Sequence, residues 1–311
     1  MKKLLIVLLL LLLTGCNDKY YSKNLFYMDT IINIKLYNIN EKKANEAFNK
    51  IEEIYKKYEA ITNFYNKDSE LYKINNTTNE VVISNELKEL INLGLNWYEK
   101  SDGLLNINIG SVTEKWHDFR NELVNFPTKQ ELDVLNIDIN NINLNDNVIS
   151  GNFKIDLGSF VKGFVTEHAG NYLESIGIDY YIINAGGNVK VGKSNKGYYS
   201  IGVKSPIANE TFTIIKDENI SVVTSGGTER FYEYEGVSYH HIIDPSTKYP
   251  ANYMKSVTVI GKDSTLCDIL STTLFLMPID IGQEFIKDYD VDVIWFTLNN
   301  EIIKSEGFKY E

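Results

Sequence analysis

Only two cysteines occur in this chain, and the first, Cys16, closes the segment MKKLLIVLLLLLLTGC. Two lysines precede an unbroken apolar run from Leu4 to Leu13, and Thr14, Gly15 and Cys16 follow. A basic end, a short apolar core and small residues describe a secretory signal peptide, too short for a comfortable membrane span. The Leu13-Thr14-Gly15-Cys16 ending resembles the bacterial lipobox, whose cysteine carries lipid and becomes the first mature residue. The expectation is an exported chain, lipid-anchored to the bacterial cell membrane on its extracytoplasmic or periplasmic face. Residues 1–15 would be removed, and 16–24 would form the lipidated cysteine and a polar tether. With Cys16 so occupied, Cys267 has no partner for an internal disulfide, and the fold must stand on its core. Cys267 lies in the apolar stretch STLCDILSTTLFLM and reads as a small buried hydrophobe, not a nucleophile.

The chain can supply that core: 311 residues, 43% hydrophobic and 23% charged, have a normal globular balance. Loss of Lys2 and Lys3 with the leader takes the formal charge from −11 to −13. Such a surface repels phosphate backbones and argues against nucleic-acid binding; a phosphorylated ligand would need a local metal or cation. No Pro/Gly/Ser linker divides the remainder, so residues 25–311 read as one compact domain. DTIINIKLY (29–37) alternates as a strand; 41–60 and 84–100 carry helical spacing, with Ser84 as N-cap. Residues 121–150, rich in Asn, Asp and Leu, carry no clear period. NFKIDLG (152–158) reads as a strand running into a helix from Ser159 to Ile176, with Gly177 at its end. Strands follow at YYIIN, NVKVG, YYSIGV, ISVVTS and SVTVIG, then an apolar helix from Ser264 to Met277 and the strand VDVIWFTL. Strands clustered between helices without regular alternation predict an α+β fold, not a doubly wound sheet.

Four stretches can carry chemistry. In Asp156-Leu157-Gly158-Ser159-Phe160-Val161-Lys162-Gly163 a strand gives way to a helix N-terminus, which favours an anion. Lys162 in that first turn is poor for the helix and apt for a phosphate; an ordinary turn capped by Asp156 is the equal alternative. Asn184-Ala185-Gly186-Gly187-Asn188 suits a tight hairpin or a close ligand approach. Thr224-Ser225-Gly226-Gly227 precedes Tyr239-His240-His241-Ile242-Ile243-Asp244-Pro245. Neighbouring strand residues face opposite ways, so only one of the two histidines could serve as a base in one site. Without CxxC or HExxH, a zinc set is absent. Asp268 and Thr272 lie four apart on one helix face, where carboxylate and hydroxyl can share a hard cation such as Mg²⁺. A helix-start carboxylate and a threonine bonding its own turn are the alternative.

Taken in order, these stretches resemble the ApbE family of FAD:protein FMN transferases. The family pattern runs D-L-G-G-x-x-K-G, G-G-D, T-S-G, H-I-x-D-P-x-T-G and D-A-x-x-T. The chain has DLGSFVKG, AGGN, TSGG, HIIDPSTK and DILST, preceded by MDT (28–30), FYNKDSELYKIN (64–75) and SDGLLNINIG (101–110). The resemblance implies a T-fold-like α+β domain with mixed or antiparallel sheets and packed helices. It implies Mg²⁺-dependent transfer of the FMN moiety of FAD to a Thr or Ser hydroxyl of a target protein, releasing AMP. Met28, Tyr65, Leu104, Leu105, Asn106, Asp156, Lys162 and Ile242 fall where the family contacts FAD. Ser159, through its backbone carbonyl, with Asp268 and Thr272 falls where it holds Mg²⁺, and His241 matches the base. Four positions depart: Asn106 and Asn188 stand for aspartates, Ser159 and Lys248 for glycines. The family's acceptors carry an Asp/Ser-Gly-Ala-Thr/Ser-like motif in membrane redox subunits or exported flavoproteins. The same site offered water would be an FAD pyrophosphatase giving FMN and AMP, and without turnover a flavin-binding lipoprotein.

Overall fold

A computed structural model describes residues 19–122, 125–208, 210–227 and 231–310. The signal-peptide and lipidation readings, Cys16 included, lie outside them. Strands β1 (Tyr20–Tyr27) and β2 (Thr30–Tyr37) form a hairpin ahead of the long helix α1 (Glu41–Thr62). Then come α2 (Glu70–Asn75), β3 (Val81–Val82), α3 (Asn85–Lys100), α4 (Gly110–Arg120), α5 (Lys129–Asp133), β4 (Asn143–Asn145) and β5 (Val148–Ser150). Helix α6 (Val161–Ser175) leads into β6 (Tyr181–Ala185), β7 (Asn188–Val191), β8 (Tyr199–Lys204), β9 (Thr211–Asp217) and β10 (Ile220–Gly226). The chain continues through β11 (Phe231–Tyr234), β12 (Val237–His240) and β13 (Met254–Gly261). It ends with α7 (Ser264–Phe275), α8 (Ile279–Phe285), β14 (Asp292–Thr297) and β15 (Ile302–Lys304).

Eight strands form one sheet in the order β1-β2-β6-β7-β10-β13-β14-β15, with every pairing antiparallel. Alternation along the strands divides two cores. Ile183, Val223, Val259 and Val293 face α1, α6 and α7 in the main core. Their neighbours Ile182, Val222, Ile260 and Ile294 face the other way, against Ile201, Val203 and Ile215 of the β8–β9 pair. A third, aromatic cluster around the fully buried Trp116 joins α4 to β11 and β12. The α+β expectation holds, as one compact domain. Cys267 is a buried free thiol, and burial pushes its pKa up, as an inert hydrophobe requires.

Two expectations are corrected. The folded domain begins at Tyr20, not at 25, because β1 pairs with β2 along its whole length. Its inward positions are only partly apolar: Lys23 spans to Glu52 of α1 at 2.6 Å, and only Leu25 is buried, so the strand reads as tether. Segment 152–158 forms no strand, since side chains and a neighbouring turn take its backbone bonds. Asn75 donates to the Ile155 carbonyl at 2.7 Å and accepts from its N–H at 2.8 Å. The Asp156 N–H donates to the Ile107 carbonyl at 2.8 Å.

A buried ion pair fixes the helices beneath the site. Glu167 of α6 meets Lys190 of β7 at 2.9 Å, and both side chains are largely withdrawn from solvent. The same carboxylate accepts the Ser264 N–H at 2.6 Å, at the start of α7. Removing one partner strands a buried charge, so Lys190→Ala should cost about 3–5 kcal/mol of stability. Urea denaturation reads this directly, and a loss below about 1 kcal/mol would contradict the clamp.

Candidate active site

The β1–β2 turn, one face of α4, the start of α6, the β6–β7 turn, the end of β12 and one face of α7 surround a cleft of ≈ 1220 Å³. That exceeds the roughly 300–1,000 Å³ of drug-sized sites and leaves room for a dinucleotide. All eleven residues proposed for FAD and Mg²⁺ line it: Met28, Tyr65, Leu104, Leu105, Asn106, Asp156, Ser159, Lys162, Ile242, Asp268 and Thr272. His241 lines it too.

At one end, the β1–β2 hairpin turns on Met28 and Asp29, both at positive φ (54° and 55°). That conformation is costly for a methionine, about 1–2 kcal/mol. Glu59 of α1 holds it by accepting the Met28 N–H at 2.7 Å. The neighbouring β6–β7 turn requires glycine. Gly186 has φ +59°, and a Cβ there would lie 2.1 Å from Thr30 Oγ1. The hairpin reading of this pair is met, and the close neighbour that excludes a side chain is Thr30 of the β1–β2 hairpin.

Tyr65 stacks on His117 with centroids 4.0 Å apart and planes 24° from parallel, offering an aromatic platform at the rim. Desolvation, with the Asp156 charge adding to it, holds the Tyr65 hydroxyl above its ordinary range, so it stays protonated. Asp156 accepts the Gly158 N–H at 2.8 Å on one oxygen and the Thr113 hydroxyl at 2.7 Å on the other. Asn106 donates to the Ile137 carbonyl at 2.9 Å and accepts the Asn108 N–H at 2.8 Å. The first of these bonds is one no carboxylate could make, which gives the asparagine its local role.

The deep corner is built on α6 and α7. No side chain of its own caps α6; instead the Gly163 N–H donates to Asp268 Oδ2 at 2.7 Å. Thr272 donates to the Ser159 carbonyl at 3.0 Å, and Ser225 approaches Thr272 at 3.3 Å and Ser271 at 2.8 Å. The Asp268 carboxylate, the Thr272 hydroxyl and the Ser159 carbonyl are the oxygens that would hold a hard cation such as Mg²⁺. Among the described residues no group of three or more His, Cys, Asp and Glu gathers. The corner thus offers one carboxylate among neutral hard oxygens, a set suited to a hard cation that keeps waters and shares ligands with a phosphate.

The two histidines separate as strand alternation requires. His240 turns inward, donates from Nε2 to the Ala251 carbonyl at 2.8 Å and accepts the Ile242 N–H at 3.2 Å on Nδ1. Both nitrogens are used and the ring is neutral, which leaves His241 facing the cleft. Lys248, at φ +60°, anchors the following loop: its ammonium donates to the Leu132, Asp133 and Leu135 carbonyls at 2.8–3.1 Å. These bonds at the C-terminal end of α5 offset the strained backbone where glycine is usual. Asn188 accepts from the Ser264 hydroxyl at 2.7 Å, bracing the start of α7 with a neutral group. Sequence reading passed over Glu59, Thr113, His117 and Arg120, all on the cleft wall. His117 and Arg120, three apart on α4, present two basic groups on one helix face, the signal that could have marked them.

Fold and cleft together define a single-domain α+β protein whose one long cleft ends in an oxygen-lined corner, with a lysine and a histidine on its wall. The chain belongs to the ApbE family, whose model matches residues 28–295. A Klebsiella pneumoniae protein named FAD:protein FMN transferase is 29% identical over 307 residues, covering 93% of each chain. One of the same name from Treponema pallidum is 25% identical, covering 92% of this chain and 87% of the other. Among solved structures, the ApbE protein of Thermotoga maritima superposes with a TM-score of 0.86 at 28% identity, covering 93% of this chain and 97% of that one.

Burial holds the His240 pKa below its ordinary value of 6.5. The unfolded chain then takes up the proton first, so this stabilisation is full above pH 6.5 and is lost as pH falls towards the folded pKa. His240→Gln keeps an Nε2 donor and removes the titration. The Tm difference between wild type and this variant should narrow from pH 7.5 to 5; a constant difference would contradict the buried neutral ring.

Proposed function

We propose that this chain is an enzyme that transfers the FMN moiety of FAD to a Thr or Ser hydroxyl of a target protein and releases AMP. The reading rests above all on one cleft gathering Lys162, the Ser159–Asp268–Thr272 oxygen corner and His241. The relatives named FAD:protein FMN transferase support it across nearly the whole chain. The acceptor hydroxyl oxygen would bond to the FMN-side phosphorus of the diphosphate. The bond from that phosphorus to the bridging oxygen breaks, the oxygen leaves with AMP, and the hydroxyl proton passes to His241. A neutral hydroxyl is a weak nucleophile, so a positioned base is worth about 10²–10⁴-fold. The Lys162 ammonium offsets diphosphate charge that the acidic surface would otherwise repel. Tyr65 and the Leu104–Leu105 wall would pack ring surface, and Asn106 and Asp156 would contact polar groups of the ligand. Mg²⁺, held by Asp268, Thr272 and the Ser159 carbonyl, would stabilise charge on the phosphoryl oxygens. A leader removed ahead of a lipidated Cys16 would put the reaction at the outer face of the membrane. The acceptor would present its Thr or Ser in a short Asp/Ser-Gly-Ala-Thr/Ser-like segment.

His241→Ala should lower the transfer rate by about 10²–10⁴ and leave FAD affinity within a few-fold. Equal losses in rate and affinity would make it a binding residue. Asp268→Asn keeps an oxygen for the Gly163 N–H but removes the charge. Calorimetric titration with Mg²⁺ should show affinity at least about tenfold weaker, in line with the weight of a charged ligand. Unchanged affinity would refute the metal assignment.

A further inference from the structure

The end of the β1–β2 hairpin remote from the cleft has its own chemistry. Tyr20 and Tyr37 pair across it with ring centroids 5.5 Å apart, and Tyr37 meets Tyr199 of β8 at 5.8 Å. The Lys35 ammonium lies 5.3 Å from the centre of the Tyr20 ring, and that of Lys216 lies 5.9 Å from the Tyr198 ring. Tyr20 and Tyr198 are 48% and 41% exposed. Of the carboxylates close by, Asp179 is ion-paired with Lys193 at 2.9 Å, and Asp217 accepts from the neutral Tyr310 hydroxyl at 2.9 Å. Tyrosines and lysines each carry an apolar body and a polar tip, the side-chain chemistry of a membrane–water interface. A mature chain of formal charge −13 would otherwise be repelled by an anionic bilayer, so a lysine-bearing face is the side that can approach one.

Chain length supplies an independent argument. Tyr20 follows Cys16 by four residues, and four residues span at most about 14 Å however they are arranged. A lipid on Cys16, the reading proposed above on which this inference rests, would keep the start of β1 within that distance of the bilayer. We infer that the face bearing Tyr20, Tyr37, Tyr198, Lys35 and Lys216 rests on an anionic lipid bilayer and orients the domain. At about 3.4 Å per residue, Met28 and the cleft lie about 27 Å away along β1. The cleft end is thereby held off the lipid, where an acceptor segment can reach it.

The test uses the full chain anchored in phosphatidylglycerol-containing vesicles, with hydroxyl-radical footprinting read by mass spectrometry. The same spectra report lipid on the Cys16 peptide. A lysine near an anionic surface strengthens attachment about fivefold, so Lys35→Glu/Lys216→Glu should lift this face from the lipid. Tyr20 and Tyr198 should label at least about threefold less in the wild type than in the double variant on the same vesicles, as partial lift-off of a covered face requires. Tyr65 and Tyr253, exposed elsewhere, should label alike in both. Equal labelling of Tyr20 and Tyr198 with lipid present on Cys16 overturns the docking face alone. An unmodified Cys16 peptide overturns the anchoring reading, and this inference with it.

Discussion

Helices α6 and α7 approach closely enough for the Gly163 N–H to reach Asp268 because residue 163 has no side chain. A Cβ there would lie 2.4 Å from both Asp268 Cβ and the Ser264 carbonyl oxygen. That contact does two jobs. It caps α6, which lacks a capping side chain at Phe160, and it sets a negative charge against the positive end of the helix dipole. Glu167 returns the arrangement by accepting the Ser264 N–H at the start of α7. Each helix thus supplies a carboxylate to the other's N-terminus, and the register between them is doubly fixed. Lys162 on α6 and Thr272 on α7 inherit their positions from it, as does the Ser159 carbonyl that Thr272 touches.

The positions that depart from the family pattern have local physical accounts. Asn106 uses its amide N–H₂ toward the Ile137 carbonyl. Lys248 occupies a left-handed position and offsets the strain with three carbonyl bonds to the end of α5. At position 159 the backbone carbonyl makes the contact, so a serine in place of glycine leaves it intact. Lys162, His241, Asp268 and Thr272 all line the cleft alongside Asn106 and Ser159.

Much of this was legible in the sequence where local signals and burial agree. Ser84 caps α3, the paired glycines turn β6 into β7, and the two histidines divide between core and cleft. The misreadings fall where tertiary partners override local pattern. Segment 152–158 has strand composition, but the Asn75 side chain, distant in sequence, takes the place of a neighbouring strand. In β1 an ion pair to α1 replaces apolar burial, so alternation fails as a guide. The His117–Arg120 spacing on α4 marks a basic helix face, but the stacking of His117 on Tyr65 is a tertiary contact that no local pattern encodes.

The proposed reaction joins FMN to a protein hydroxyl in this cleft at the expense of the FAD diphosphate. The most direct measurement is the intact mass of an acceptor bearing an Asp/Ser-Gly-Ala-Thr/Ser-like segment, taken together with released AMP, after incubation with the chain, FAD and Mg²⁺. The expected result is an acceptor heavier by one FMN moiety, AMP in equal amount, and neither product under chelation. Free FMN and AMP beside an unmodified acceptor would contradict it and make water the acceptor. Bound FAD without either product would contradict catalysis altogether.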